Sequence, residues 1–387
     1  MNKPNSVDTW LEQLGAPAAD RDYRPGHARM HTLLQSQQLH RPKLRIRIAG
    51  TNGKGSTAFM LTSALQAAGL SVGLYTSPHI HCFNERIRIN GTPTSDTILL
   101  EKLQELMPLA LECGASYFEV ATALALCCFS DASVGMEILE AGVGARLDAT
   151  TAVPADMALI TPIALDHQAW LGNDLTDIAA EKAWAMDGCT YAISAPQSAE
   201  VSDMLISHQP NLDFAAADPG LPKLRAAGNH QRINAALALA AMCQLQQNGE
   251  VNIKPENTEQ AIAETKIPGR LQYLPWGNCR IWLDAAHNSH AVQSLLPSLP
   301  ELADPFDAVF VFTREDRDLG ETLPMLRTYA RRLIGSNRYR ENCDISYANL
   351  DTALSSELNP QSRESYLILG SFLTVSAALQ WIEENRS

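Results

Sequence analysis

The chain predicts an α/β fold in two parts, each built on a mostly parallel sheet covered by helices. Three observations carry this. Strand-like and helix-like patterns alternate along nearly all of the 387 residues, as parallel strands joined by helical crossovers require. A strand pattern at Leu44, Ile46 and Ile48 runs directly into a glycine loop and then a helix. Pro268-Gly269 then interrupts the alternation, which starts again beyond it.

The elements follow in order. Period-two apolar spacing at Leu44, Ile46 and Ile48 predicts a strand. Phe59, Met60, Leu61, Ala64, Leu65 and Ala68 predict a helix that stops at Gly69. Strand-like runs come at 72–76, 136–140, 157–161 and 191–194, and helix-like runs at 96–112, 117–130, 175–187 and 230–247. Asn90-Gly91 after Ile87–Ile89 signals a tight turn of the hairpin kind. Residues 209–227 are proline-bearing and irregular, and read as a surface excursion. Past the break, strands are expected at 280–283, 307–312 and 366–369. The boundary falls near residue 270, giving domains 1–268 and 269–387.

Composition narrows the function classes. An apolar fraction of 45% with 19% charged residues is that of an ordinary globular protein. A formal charge of −13 with no basic run argues against nucleic acid as a partner. The longest apolar run, 235–243, is too short to span a bilayer, and residues 1–10 lack a signal-peptide core. Eight scattered cysteines without a C-x-x-C pair point to a reducing, cytoplasmic compartment. Cys127 and Cys128, inside an apolar helical run, are expected to be buried.

The loop Gly50-Thr51-Asn52-Gly53-Lys54-Gly55-Ser56-Thr57 carries the strongest chemical signal. Glycines let backbone N–H groups approach phosphate oxygens, a helix N-terminus adds positive potential, and a lysine neutralises charge. The loop departs from the standard G-x-x-x-x-G-K-[ST] spacing, with Ile48 and Gly55 at two of its fixed positions. It still predicts a nucleoside triphosphate site. Such a site normally needs magnesium, which takes hard oxygen ligands. Glu140, at the end of a strand-like run and before Gly142 and Gly144, is the first candidate, because ligands bind at the carboxyl ends of parallel strands. Asp166-His167 lies on another strand-end loop and is weak evidence alone. Lys182 beside Glu181 reads from composition as a solvated helix lysine. Asp284, His287 and Asn288 form a polar cluster past a strand, equally consistent with a hydrogen-bonded turn and with a site.

Taken together these residues resemble the folylpolyglutamate synthase and dihydrofolate synthase enzymes, the folate branch of the Mur ligase superfamily. The resemblance covers nearly the whole chain through motifs in a fixed order. They run from the glycine loop through Ser77-Pro78-His79, Glu85-Arg86-Ile87, Tyr117-Phe118-Glu119 and Leu139-Glu140-Ala141-Gly142. Arg146-Leu147-Asp148-Ala149-Thr150, Leu165-Asp166-His167, Glu181-Lys182-Ala183 and His230-Gln231 with Asn234 come next. Pro268-Gly269-Arg270, Asp284-Ala285-Ala286-His287-Asn288 and Gly370-Ser371-Phe372 complete the series.

The resemblance implies an N-terminal P-loop ATPase domain and a smaller C-terminal Rossmann-like domain, with the active site between them. Ser77, Glu140 and His167 match the family's magnesium positions. Asn234, Arg270, Asp284 and His287 match positions that contact the nucleotide. Lys182 matches a lysine that the family typically carries as a carbamate, which helps hold a second metal. The family reaction is ligation of an acid to an amine: ATP phosphorylates a carboxylate to an acyl phosphate, the amine of glutamate attacks, and phosphate leaves. The expected catalytic residues are Lys54, His167 and Lys182. The expected partners are ATP, glutamate and a pteroate or folate-like acid, with no membrane, for a monomer.

Several departures bear on the acid and amino-acid pockets. Trp184 follows Lys182-Ala183 where the family has glycine, and is close enough along the same helix that it could crowd the site. Ala145 replaces a glycine, Arg314-Glu315-Asp316-Arg317-Asp318 replaces an Asp-Lys-Asp, and Leu373 replaces a histidine. Residues 24–30 lack the usual N-terminal run. The rival readings are a relative that ligates a non-folate acid, a simple nucleotide switch or ATPase, and an inactive nucleotide-binding paralogue.

Overall fold

The computed structural model describes residues 6–14, 26–218, 220–315 and 317–385. Contacts divide the chain into two compact units: Met1–Lys223 with Ile233–Thr265, and Leu224–Arg232 with Lys266–Ser387.

In the first unit, α1 (Val7–Glu12) and α2 (Ala28–Gln35) precede β1 (Leu44–Ala49), which enters α3 (Lys54–Ala67) through the glycine loop. β2 (Val72–Tyr75) leads to the hairpin of β3 (Ile87–Ile89) and β4 (Thr92–Pro93), then α4 (Asp96–Cys113), α5 (Tyr117–Asp131) and β5 (Met136–Glu140). β6 (Met157–Ile160), α6 (Gln168–Leu171), α7 (Leu175–Ala183), β7 (Tyr191–Ser194), α8 (Ala199–His208) and β8 (Asp213–Phe214) follow. α9 (Asn229–Gln247), which belongs to this unit from Ile233 onward, and α10 (Pro255–Ala263) complete it.

The eight strands lie in the order β4-β3-β2-β5-β1-β6-β7-β8. All pairings from β2 to β8 are parallel, and the β3–β4 hairpin adds an antiparallel edge. Both residues of its turn, Asn90 and Gly91, have positive φ, as the Asn-Gly signal predicts. β1 is interior to the sheet, with Ile48 opposite Glu140 in β5 and Ala49 opposite Ile160 in β6. That register sets the start of the glycine loop beside the end of β5.

The period-two pattern of β1 does not mark a wet face. All six of its residues are buried, Arg45 and Arg47 among them. Arg45 Nε donates to Glu137 at 2.6 Å and Nη1 to the Pro154 carbonyl at 2.8 Å. Arg47 donates to the carbonyls of Ala185 at 2.9 Å and Val153 at 2.8 Å. These bonds let charged groups occupy an interior strand.

Two further expectations change. The helix-like run 175–187 ends as α-helix at Ala183 and tightens into a 3-10 turn, Trp184–Met186. Residues 209–227 are not wholly a surface excursion: β8 pairs in parallel with β7, and Leu212 and Ala215 beside it are buried. Cys127 and Cys128 are buried in α5, as their apolar surroundings predict.

The second unit holds β9 (Gln272–Trp276), β10 (Cys279–Asp284), α11 (Ser289–Leu295), α12 (Leu299–Leu302), β11 (Ala308–Val311) and α13 (Leu323–Arg327). β12 (Leu333–Ser336), β13 (Ile345–Tyr347), α14 (Leu350–Glu357), β14 (Ser365–Leu369) and α15 (Phe372–Glu384) follow. Its sheet runs β13-β12-β11-β14-β10-β9, parallel except for β9. One face packs on Val292, Leu295, Leu319, Leu323 and Leu326.

Candidate active site

The glycine loop is shaped by close approach. Gly50 has φ +138°, and a Cβ there would lie 2.0 Å from Thr161 Oγ1. Gly53 has φ +95°, and a Cβ there would lie 2.1 Å from Asn234 Oδ1. Only glycine meets both demands. The amides of Thr51 and Asn52 donate to the Pro162 carbonyl at 3.0 and 3.2 Å, and Thr51 Oγ1 donates to the Ala164 carbonyl at 3.0 Å. Thr51 and Asn52 therefore pin the loop to the segment after β6. The donors left over belong to the first turn of α3, at Lys54, Gly55 and Ser56. Ser56 Oγ and Thr57 Oγ1 are buried without a hydrogen-bond partner. Two orphaned hydroxyls at a helix start fit a phosphate with its metal ion.

Two lysines meet on the loop. Lys54 Nζ donates to the carbonyls of Gly50 at 3.1 Å and Thr51 at 3.2 Å. Lys182 Nζ donates to the Gly50 carbonyl at 2.8 Å. Lys182 is 3% exposed, in the last turn of α7, so the solvated-lysine reading is wrong. Its helix turns Ile178, Ala179, Lys182 and Ala183 inward. Burial, reinforced by the charge of Lys54, pushes the Lys182 amine down to about 7 against the pull of Asp166 and Asp148. Trp184 does not crowd it. The indole is 38% exposed, lies under the Arg146 guanidinium at 5.4 Å and packs edge-on against His208.

Glu140 ends β5 and is buried. Its carboxylate lies 3.5 Å from where a Cβ on Gly55 would sit, and it accepts the Ser77 amide at 3.0 Å. Glu140 and the Ser77 backbone are thus adjacent, with the first turn of α3 beside them. Asp166 is buried on the loop after β6, where its carboxylate accepts the His167 amide at 2.8 Å. His167 caps α6 in the left-handed region, φ +52°. Among the described residues no three His, Cys, Asp or Glu side chains gather as a preformed metal cage. A magnesium site of few side chains completed by water and phosphate oxygens needs none.

Asp148 has a positional role that spacing alone could not show. Buried after Arg146-Leu147, it accepts the amides of Gly142 at 2.9 Å, Val143 at 3.3 Å and Thr150 at 2.9 Å, with the Thr150 hydroxyl at 2.5 Å. These bonds fix the loop that leaves Glu140. Burial nevertheless pushes its carboxyl above the ordinary value. His79 and Arg86, present in the quoted motifs but given no role there, form a directly bonded pair with Arg86 Nε 2.9 Å from His79 Nδ1. Burial and the Arg86 charge push the His79 imidazole down to about 4.

In the second unit, Asp284 ends β10 and is buried, its carboxylate accepting the amides of Leu271 at 2.8 Å and Ala286 at 2.7 Å. Burial raises its pKa, opposed by Arg270 and these amides. Arg270 lies 4.8 Å over the Phe372 ring. His287 Nδ1 bonds the Ala285 carbonyl at 2.9 Å, and Asn288 caps α11. The hydrogen-bonded-turn reading of this cluster holds: Asp284 builds the turn that carries His287.

Of the departures, residues 24 and 25 and Asp316 lie outside the described residues. His27 Nε2 is 3.0 Å from Thr151 Oγ1, and Arg29 Nε donates to Glu119 at 2.9 Å. The 314–318 loop is held by Arg338, which donates to the carbonyls of Glu315 and Arg317, each at 2.8 Å. Leu373 is 65% exposed in the first turn of α15. No helix among the described residues is long and apolar enough to cross a membrane.

A parallel sheet with a glycine loop at an interior strand, two lysines on that loop and a second parallel-sheet unit define a nucleotide-dependent α/β enzyme. No family model matches the chain. It is 30% identical over 376 residues to the dihydrofolate synthase/folylpolyglutamate synthase of Escherichia coli (strain K12), covering 88% of this chain and 87% of that protein. It superposes on the E. coli FolC structure with DHPP and ADP at a TM-score of 0.86, 26% identical, over 100% of both chains. It also superposes on the bifunctional folylpolyglutamate synthase/dihydrofolate synthase of Yersinia pestis with AMPPNP and Mn ion, at 0.85 and 27%, over 99% of both. The chain belongs to the dihydrofolate synthase/folylpolyglutamate synthase family, ATP-dependent ligases that form carbon–nitrogen bonds.

Proposed function

We propose that the chain adds L-glutamate to dihydropteroate and/or a folate through an acyl phosphate, converting ATP to ADP and phosphate. The observation that carries this reading is the convergence of Lys54, Lys182 and the buried Glu140 on the glycine loop, in a chain of this family. A carboxylate is a poor electrophile, and phosphorylation turns its oxygen into a leaving group. Attack by the glutamate amine then forms the C–N bond and breaks the C–O bond to phosphate, with the amine proton passing to solvent.

The roles follow from the chemistry. Gly50, Thr51, Asn52, Gly53, Gly55, Ser56 and Thr57 shape the phosphate site, and Lys54 offsets charge on the terminal phosphates. Ser77, Glu140 and His167 would hold magnesium, which when bound screens the phosphate charge. Asn234, Arg270, Asp284 and His287 are assigned to the nucleotide. Lys182 is assigned as a carbamate: an amine near pH 7 is substantially neutral, and its lone pair adds to carbon dioxide with loss of one proton. The resulting anion suits the neighbouring Lys54 and a second metal. Residues 1–268 would form the ATP-binding domain and 269–387 the C-terminal ligase domain of a cytoplasmic monomer.

The test is phosphate release with pteroates, folates and other aryl acids, each with and without glutamate. Turnover that needs both an acid and glutamate supports the reading. Turnover on ATP alone makes the protein an ATPase, and none with any acid makes it an inactive paralogue. A second reading, ligation of a non-folate acid, draws on the exposed Leu373 and the arginine-held 314–318 loop. It stands if a non-folate acid outcompetes dihydropteroate at saturating ATP and glutamate.

A further inference from the structure

The connection between β2 and β3 holds a side-chain pair with no role in the reading above. Arg86 is 8% exposed, and its Nε–H donates to His79 Nδ1 at 2.9 Å. Its guanidinium lies 5.8 Å from the Phe83 ring centroid and 5.5 Å from that of Tyr117. Among the described residues no carboxylate pairs with it, and the two ring faces supply the compensating negative potential.

An arginine stays protonated in a protein, so its Nε always carries hydrogen. The His79 atom facing it must be a bare lone pair, which leaves the ring proton on Nε2. The rest of the segment is equally fixed. Glu85 accepts the amides of Ile80 at 3.0 Å, His81 at 2.8 Å and Cys82 at 3.1 Å. The His79 ring packs edge-on against Phe83 at 6.4 Å. Two residues before it, the Ser77 amide is bound to Glu140.

We propose that Arg86 is a positioning residue: it locks His79 as the Nε2–H tautomer, so that His79 acts as a one-way hydrogen-bond donor to an anionic oxygen of a bound substrate. The proposal rests on the ligase reading and adds a residue pair to it. A carboxylate of the acid and a terminal phosphate of ATP offer the same acceptor chemistry, and the kinetics separate them.

The first test is long-range nitrogen–proton NMR on the full-length, histidine-labelled protein, with the His79 signals assigned by their loss in His79→Gln. The expected result is a bare Nδ1 and a protonated Nε2 in the wild type, and loss of that single tautomer in Arg86→Leu. A wild-type ring carrying its proton on Nδ1 overturns the proposal. This readout needs no turnover, so it fails independently of the ligase reading, which instead falls if wild-type phosphate release requires no acid. The second test is kinetic. Losing a hydrogen bond to a charged acceptor costs roughly 10- to 100-fold. His79→Leu should raise KM by that factor for the acid if the acceptor is its carboxylate, or for ATP if it is a phosphate. His79→Gln, whose amide NH2 reaches the Nε2 position, should restore most of the loss. Arg86→Lys should do better than Arg86→Leu. Unchanged KM values for both substrates in His79→Leu overturn the proposal. Thermal unfolding monitors the variants, and if Arg86→Leu does not fold, the wild-type tautomer and the His79 variants still decide.

Discussion

Lys54 and Lys182 share one acceptor: both Nζ atoms donate to the Gly50 carbonyl oxygen, at 3.1 and 2.8 Å. Burial pushes the Lys182 amine down to about 7, and repulsion from Lys54 on the same dipole adds to the shift. Lys54→Ala should lower turnover by roughly 100- to 1,000-fold, the scale of losing one preorganised charge at a phosphoryl group. The fold should survive, because Lys54 is not a core side chain. Phosphate release and thermal unfolding of the purified variant check both halves, and a wild-type rate would refute the phosphate-loop assignment.

The pH dependence of stability has a defined sign. Lys182 takes up its proton below 10.5 in the unfolded chain and below about 7 in the fold. Between those values the unfolded state binds more protons, so this residue's contribution to stability improves as pH rises from 7 towards 10.5, and its full penalty is present below 7. Urea midpoints measured across that range for wild type and Lys182→Met should diverge in favour of wild type as pH rises. A constant difference would mean that Lys182 titrates normally.

Glu140→Gln should raise the magnesium concentration needed for half-maximal activity by at least about tenfold, since an amide oxygen is a weaker ligand than a carboxylate. His167→Ala should shift the same titration. The check is activity against free magnesium at saturating ATP, and superimposable curves for both variants would remove them from the metal site.

Bicarbonate distinguishes the two states of Lys182. Wild-type protein incubated with isotopically labelled bicarbonate and nucleotide should show one labelled carbamate carbon by carbon NMR, absent from Lys182→Ala. Small carboxylic acids should partly restore activity to that variant. A plain amine at Lys182 under those conditions would end the assignment.

Asp148 tests how the site is held. Asp148→Ala removes acceptors for three amides and a hydroxyl, and should cost about 3 kcal/mol of stability. Because those bonds fix the loop after Glu140, the magnesium titration should weaken as well. Denaturant unfolding with the same titration checks both, and a fully stable Asp148→Ala would show that the loop is fixed by other contacts.

The strands and the glycine loop were legible because their signals are local. Period-two spacing, an Asn-Gly turn and a glycine-lysine helix start need no distant partner to be read. Lys182 was misread from composition because its burial depends on how α7 packs over the loop, 132 residues away in sequence from Gly50. The boundary of the 175–187 helix was missed because the chain tightens into a 3-10 turn at Trp184 with no proline or glycine to announce it. Residues 209–227 looked irregular because a two-residue edge strand carries too little pattern. His79 and Arg86 stand in separate motifs whose pairing no spacing shows: only the turn of the chain at Glu85 brings them together.

The buried arginines of β1 act as register marks. Arg45 fits only where Glu137 and the Pro154 carbonyl await it, and Arg47 only where the carbonyls of Val153 and Ala185 do. Slipping β1 by one residue against β5 would turn both guanidinium groups to the opposite face of the sheet and carry the isoleucines with them. An all-apolar strand would tolerate such an error far better. The same slip would move the start of the glycine loop roughly 3.3 Å along the strand, away from Glu140. Charge hidden in an interior strand thus proofreads assembly, so that a chain that has folded at all has folded with its loop and its carboxylate in step.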